Sequence, residues 1–510
     1  MPTDSKSVVR TLFKGGTVLF LGLFLELGIS FLAKLVIARV LGPVDYGVVS
    51  LGITTTTIAS TLVLLGLDVG VGRYLPRSKT AEERRGVLVS AFQLAVPLSI
   101  VVGIGVSLAA PVIATDLFHD PSTEPVLRVF GLAIPLAALM KLTIGGVQGL
   151  QRSLPKVLIR NIVNPVARFA GILLVLALGF RGVGIAWAYV LSYAVAGAVG
   201  VYFLATRTPL FERGVRAVSM HRELLAFSAP LVVSTTMTLV LSDIDTFMLG
   251  ALSTSGAVGI YNTVYPIAEL LTVMLASFSF IFMPVVSELH GEGQYEETRR
   301  LYQVVAKWIF VLSLPLFALL SLYPRRAILL TFGPEYVAGA LALSVLTIAF
   351  FTHAIAGPNS SALTSVGRTR LIMLDNTFIA ALNVGLNLVL IPRYSYLGAA
   401  AATAVSYVLL NLLYSYQLYR EMGAHPFSPT LVRSGAVSVA LVAGHYALVS
   451  ALDPTLSQFV ALYAGFLLAY LLVVLRFGVE QEEVMLVLSF EERFGVDLGP
   501  LKRLARRFVA

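Results

Sequence analysis

The chain has 510 residues, 57% of them hydrophobic and only 13% charged, with a mean hydropathy of +0.86 and a formal net charge of +9. A soluble fold of this size could not hide that much apolar surface, so soluble enzymes and nucleic-acid binders are excluded and a polytopic, all-α membrane protein is expected. Cysteine is absent, which removes disulfides, thiolate metal sites and cysteine nucleophiles.

Apolar runs of about 20 residues match the bilayer core, and fourteen such spans follow one another. The first, 16–40, has no small-residue cleavage site after it and reads as a retained span. In "ELGISFLAKLVIARVLG" (26–42), Glu26, Ser30 and Lys34 are spaced i, i+4, i+8 and share one helix face. Arg39 closes that run ahead of a Leu41-Gly42-Pro43 turn. The second span, 46–67, leads into "GLDVGVGRYLPR" (66–77), where Arg73 sits at the interface and can snorkel. The third is 86–110. The fourth, 126–149, contains Pro135 and, near its end, Lys141, which has the same snorkelling reading.

The fifth span, 155–178, lines up Asn161, Asn164 and Arg168, and the sixth is 183–205. The seventh, 224–249, puts Ser234, Thr238, Ser242 and Asp245 on one stripe with Asp243 beside it. The eighth, 258–284, shows Asn262, Tyr265, Glu269 and Thr272. The ninth is 303–323, and the tenth, 338–357, ends in a Gly357-Pro358 break. The eleventh, 371–392, offers Asp375, Asn376, Asn383 and Asn387. The last three are 396–419, 431–451 and 457–477.

An ionisable group inside the bilayer costs ~2.5–3.5 kcal/mol on insertion scales, so such groups usually face a cavity or one another. The polar faces of spans one, five, seven, eight and eleven point to a central hydrated cavity that accommodates Lys34. The structural alternative is an ion pair of Lys34 with Asp243 or Asp245 that locks the two halves together. Asp245, on the serine-threonine stripe, is expected to face the cavity and gate Lys34, with Asp243 turned to a neighbouring helix. Arg39, Arg128, Arg181, Arg325, Arg326 and Arg393 fall at one face, whereas most of the 37 Lys and Arg fall at the other, with the termini. That bias places both termini in the cytoplasm of a plasma-membrane protein.

Two pairs of segments repeat. "GVGIAWAYVLSY" (182–193) matches "YLGAAAATAVSY" (396–407) with Gly184 over Gly398, and "ARVLGPVDYGVV" (38–49) matches "GALSTSGAVGI" (250–260) with Gly47 over Gly259. The near-equal offsets predict two parallel six-helix lobes, 1–222 and 223–430, related by an axis along the membrane normal. Two additional helices follow in 431–478. The tail, 479–510, holds the basic stretch "PLKRLARRFVA" and reads as a cytoplasmic amphipathic segment.

Soluble-type catalytic motifs are missing. There is no GxxxxGK[ST] and no HExxH, the six histidines are dispersed, and the loops are too short for a catalytic domain. Charges in mid-span across both repeats favour translocation over catalysis, and no cofactor is expected beyond coupling to Na+ or H+.

In order and spacing, "KLVIARVLGPVDYGVVSL", "GLDVGVGRYLPR" and the two copies of "GVGIAWAYVLSY" resemble the polysaccharide-transporter branch of the multidrug/oligosaccharidyl-lipid/polysaccharide (MOP) flippase superfamily, which includes O-antigen-type flippases. The resemblance covers spans one to twelve. It implies a V-shaped, MATE-like pair of lobes that carries a polyprenyl-(pyro)phosphate-linked oligosaccharide from the cytoplasmic to the outer leaflet by alternating access. Glycosyltransferases or a polymerase of the same pathway are its implied partners, besides membrane lipids. It implies phosphate-holding cations, here Lys34, Arg39 and Arg168, with Arg73 at the inner rim. Glu26, Asp243, Asp245 and Glu269 are the corresponding candidates for ion coupling or gating. The acidic seventh span keeps a multidrug or organic-cation antiporter open as the alternative. A non-transporting scaffold for glycan assembly is a third reading.

Overall fold

A computed structural model describes residues 5–150, 153–212 and 214–477. The expected tail segment, 479–510, lies outside the described residues, as do the side chains of Ser234 and Thr238. Every regular element among the described residues is helical. In chain order these are α1 (Ser5–Leu64), α2 (Leu67–Tyr74), α3 (Ala81–Val112), α4 (Glu124–Gly149), α5 (Ser153–Val157), α6 (Asn164–Ala177), α7 (Gly182–Arg207), α8 (His221–Leu252) and α9 (Ser255–Glu269). They continue with α10 (Thr272–Gly291), α11 (Tyr295–Leu322), α12 (Pro324–Thr331), α13 (Ala340–Ile355), α14 (Asn359–Ser365), α15 (Thr369–Tyr394), α16 (Tyr396–Met422), α17 (Pro429–Leu452) and α18 (Leu456–Phe477).

Among the described residues eleven helices are long and apolar enough to cross a membrane, or thirteen when each of two bent pairs counts as one span. Fourteen were expected. The difference lies in α1, where spans one and two form one run broken only at Gly42 (φ 78°, ψ 174°). The positive φ favours glycine, and Pro43 keeps the break from healing into helix. The bent pairs are the seventh and eighth expected spans. α8 turns by 62° between Met237 and Ser242, and α9 meets α10 at 47°.

The two halves of the chain cross where α1 meets α9. A Cβ on Gly47 would run into the Ser255 carbonyl, and a Cβ on Gly259 would run into the Pro43 carbonyl. Each contact is the other's image at the repeat offset that aligns Gly47 with Gly259, as an isologous two-fold contact requires. Glycine at both places lets the two backbones touch, the way small residues bring membrane helices together.

Hydrogen bonds gather the turns on this side into one end of the molecule. Tyr336 Oη donates to Ala38 O (2.8 Å). Ser255 Oγ donates to Asp120 Oδ2 (2.5 Å), and Ser253 pairs with Ser395 (2.7 Å). At the opposite end α8 reaches back onto the first half, with Ser228 Oγ donating to Gly66 O (3.1 Å).

Candidate functional site

The N-terminal half supplies a cationic wall. α1 presents Glu26, Ser30 and Lys34 on one face, as their spacing requires. Between α5 and α6 the chain makes one wide, π-type turn over Leu158–Val163. Such bulges shift the facing of the residues after them and recur at functional sites. Asn161 Nδ2, within the bulge, donates to Glu26 Oε2. Past the bulge, Arg168 Nη2 donates to Ser30 Oγ (2.7 Å), and its guanidinium lies 5.2 Å from the Tyr189 ring. Arg168 Nε and Asn164 Nδ2, four residues apart on one helix face, are buried donors without an acceptor. Lys34 is half-buried and lies in the field of Glu269, Arg168 and Asp243.

Two cations of this wall escaped the sequence reading. Arg160, in the bulge, acts electrostatically on both Glu26 of the first arm of α1 and Lys141 of α4. Lys141 does not snorkel. Its ammonium donates to Ser60 Oγ (2.8 Å) and Thr61 Oγ1 (2.6 Å) on the second arm of α1, with Asp68 and Asp243 nearby. The threonine run at 54–57 and the Ser60-Thr61 pair, hydroxyls inside an apolar span, were the legible signal.

The C-terminal half supplies the acids, and both bent spans deliver them at their breaks. Asp243 follows the bend of α8, and the exposed Glu269 ends α9 at the second bend. Broken helices place polar groups at mid-membrane in this way because the freed backbone must line a cavity or protein.

The positions expected for the Asp243 and Asp245 side chains are exchanged. Asp245 is buried at 6% exposure and turned into its own half. Its carboxylate accepts from Tyr261 Oη (2.7 Å), from Asn387 Nδ2 (2.6 Å) and from Thr403 Oγ1. Asn387 also donates to Asn383 (3.1 Å), which leaves Asn387 Oδ1 as an orphaned acceptor. The bend before Ser242 sets the roll of this helix segment, so Asp243, not Asp245, reaches toward Lys34.

Arg39 and Arg73 stand apart from Lys34. Arg39 Nε donates to Thr331 O (2.6 Å) and its Nη2 to Leu330 O (2.9 Å), the final carbonyls of α12. A guanidinium there satisfies orphan carbonyls and complements the helix dipole, so Arg39 is a clasp between the halves at the Gly42 end. Arg73 is exposed at the other end, 4.2 Å from the Phe227 ring.

The profile of the family described as "Polysaccharide biosynthesis protein" matches residues 12–290, more than half of the chain. The chain belongs to the polysaccharide biosynthesis protein family. A MatE profile also matches, over residues 230–389. Curated relatives include "Probable low-salt glycan biosynthesis flippase Agl15" of Haloferax volcanii, 22% identical over 51% of this chain and 54% of that protein. "Teichuronic acid biosynthesis protein TuaB" of Bacillus subtilis is 23% identical over 60% of this chain and 62% of its own. An uncharacterized membrane protein, MJ1068, of Methanocaldococcus jannaschii is 24% identical over 39% of each chain. The matches thus span between 39% and 62% of these relatives' length. In fold, the chain resembles the lipid II flippase MurJ in an inward closed conformation (TM-score 0.72, 12% identity, 89% of this chain and 98% of MurJ). It also resembles an inward-facing MATE multidrug transporter of the MOP superfamily (TM-score 0.67, 16% identity, 78% and 94%). It therefore has the MOP fold.

Proposed function

We propose that this protein flips a polyprenyl-(pyro)phosphate-linked oligosaccharide from the cytoplasmic to the outer leaflet of the plasma membrane, with both termini cytoplasmic. The carrying observation is the pair of buried, unpartnered donors, Arg168 Nε and Asn164 Nδ2, beside Lys34. A phosphate has the oxygens to satisfy all three, and its charge-assisted hydrogen bonds to lysine and arginine are strong. With no phosphate bound, Lys34 lies in the attractive field of Glu269 and Asp243 across the seam. An entering headgroup competes for the same ammonium and thereby loosens the halves. Substrate binding and lobe movement share one charge, and the lipid tail stays in the bilayer while the headgroup crosses. One relative named as a probable glycan biosynthesis flippase and another named as a probable flippase support the reading.

Asp245 is the coupling carboxylate in this proposal. The residues present fit a monovalent cation, since the Asn383, Tyr261 and Thr403 oxygens and the orphaned Asn387 Oδ1 surround the carboxylate and are hard donors. When bound, the ion would supply charge neutralisation. The exposed Glu269 and the nearby Asp243 favour one second reading, organic-cation antiport.

The test is a leaflet-specific assay for labelled lipid-linked glycan in a deletion strain, complemented with the wild type or with Lys34→Ala and Arg168→Ala. The wild type restores outer-leaflet glycan and the variants, inserted at equal amounts, do not. Normal glycan export in the deletion strain, together with drug sensitivity, would shift the assignment to antiport.

A further inference from the structure

The last helix meets α11 at a flaw in that helix. Pro315 has no N–H, so the Val311 carbonyl one turn back loses its helical donor. Tyr470 Oη of α18 donates to that carbonyl at 2.8 Å. One turn on, Tyr463 Oη donates to Pro315 O and lies against the backbone N–H of Leu319, the group that carbonyl would otherwise accept from. Two phenols thus enter the α11 ladder at successive turns. In "FVALYAGFLLAY" (459–470) they are spaced i, i+7 and share one face of α18 with Phe459 and Phe466.

Phenylalanine fills the other two places on that face, so the phenols are set apart by their hydroxyls. Both are buried, and their rings are fixed through Phe466, 5.4 Å from Tyr463 and 5.8 Å from Tyr470. Tyr470 also reaches the buried Ser438 of α17. A helix bends most readily where proline or an inserted side chain interrupts its ladder, so the hydroxyls set the course of α11 beyond Pro315. Only Tyr323 separates α11 from α12. The Tyr323 ring lies 4.9 Å from the Phe459 ring, and the Arg326 guanidinium of α12 lies 4.7 Å from the same ring. α12 ends in the Leu330 and Thr331 carbonyls that hold Arg39 of α1. One line of contacts therefore runs from α18, through the Pro315 turn and α12, to the clasp between the halves.

We propose that Tyr463 and Tyr470 are positioning residues for transport: they fix α11 at Pro315, seat α12 on Arg39 and so hold the Gly42 end closed. The inference rests on the reading that this end faces outward and opens during transport. Opening then requires α12 to leave Arg39, and the two hydroxyls on α11 resist that movement from the far side of the helix pair. The appended helices act on the clasp through α11 and α12, whatever the central cavity carries.

The test follows Leu41→Cys, a buried position beside Gly42, in the full chain with an impermeant thiol reagent applied from outside. With the end closed it should label slowly. Arg39→Ala breaks the clasp directly and should speed labelling at least fivefold. Tyr463→Phe with Tyr470→Phe keeps both rings and should speed it at least threefold. Pro315→Ala returns an N–H to the Val311 carbonyl, so adding Tyr470→Phe in that background should leave the labelling rate nearly unchanged. A tyrosine pair whose loss lowers Tm but leaves labelling at the original rate would make the hydroxyls purely structural and overturn the proposal. So would a Tyr470→Phe effect of the same size whether residue 315 is proline or alanine. If Arg39→Ala also fails to speed labelling, the Gly42 end does not open, and the transport reading falls together with the proposal.

Discussion

Lys34, Asn164 and Arg168 share one phosphate in the proposed cycle, so their losses should differ in kind. Lys34→Gln removes both the attraction to Glu269 and Asp243 and the proposed headgroup contact. We expect it to cut glycan export at least tenfold, equivalent to ~1.4 kcal/mol or more. Arg168→Lys keeps the charge but loses the planar fork, and export should fall to an intermediate level, measured in the leaflet assay. Around Asp245, Tyr261→Phe deletes a hydrogen bond to a carboxylate, worth ~1.5–3 kcal/mol. In the Asp245→Asn background the same change should cost clearly less, and additive losses in thermal unfolding would show that the pair does not act as a unit. Sodium should raise the Tm of the wild type but not of Asp245→Asn.

At the scale of elements, glycines separate by what surrounds them. Gly47→Ala and Gly259→Ala each drive a methyl into a carbonyl of the other half. A backbone cannot step aside as a flexible side chain can, so the cost should exceed the ~1–3 kcal/mol of ordinary overpacking and show as a large drop in Tm. Gly385→Ala, in the interior of α15 with nothing within 4 Å, should be neutral or slightly stabilising, since alanine is the better helix former. The turn ahead of α4 makes the pH prediction. Burial raises the Asp120 carboxyl, but hydrogen bonds from the Ser122 side chain, Ser255 and the Ser122 backbone outweigh it and hold its pKa below the ordinary carboxylate value. A depressed folded pKa gives stability that is fully present above the unfolded value, ~3.9, and is lost as pH falls through the lower folded one. The Asp120–Ser255 link should therefore be indifferent to pH between 5 and 8. A Tm difference between the wild type and Asp120→Asn that changes within that range would contradict this.

For the whole molecule, the cysteine-free sequence allows direct tests of orientation and motion. Cysteines at Val44 and Gly256, facing each other across the crossing of α1 and α9, should form a disulfide that locks the two halves at that end and stops export until reduced. Free transport by the cross-linked protein would mean that the Gly42 end never opens. A single cysteine at Ser122, which is exposed, should react with an impermeant thiol reagent from outside the cell. One at the exposed Arg77 should not. Ser78 makes a poor inside probe because it is buried, and a cysteine there would stay silent from either side.

The sequence by itself determined the class of the protein, the order of nearly every span, and the paired glycines of the two-fold crossing. Hydropathy and helical period are local, and glycine at a backbone contact leaves a mark in both repeats. It also determined that Glu26, Ser30 and Lys34 share a face, and that Asp243 and Asp245 point ~200° apart. Only the tertiary structure decided which of those two aspartates acts on Lys34. The roll of a helix segment about its axis is set by packing and, here, by the bend of α8, neither of which is written in spacing. The same holds for Arg39, whose carbonyl partners lie nearly 300 residues away on α12, and for Lys141 and Arg160. A lysine near a span's end reads alike whether it snorkels outward or turns inward to hydroxyls, and only the neighbouring helix settles which.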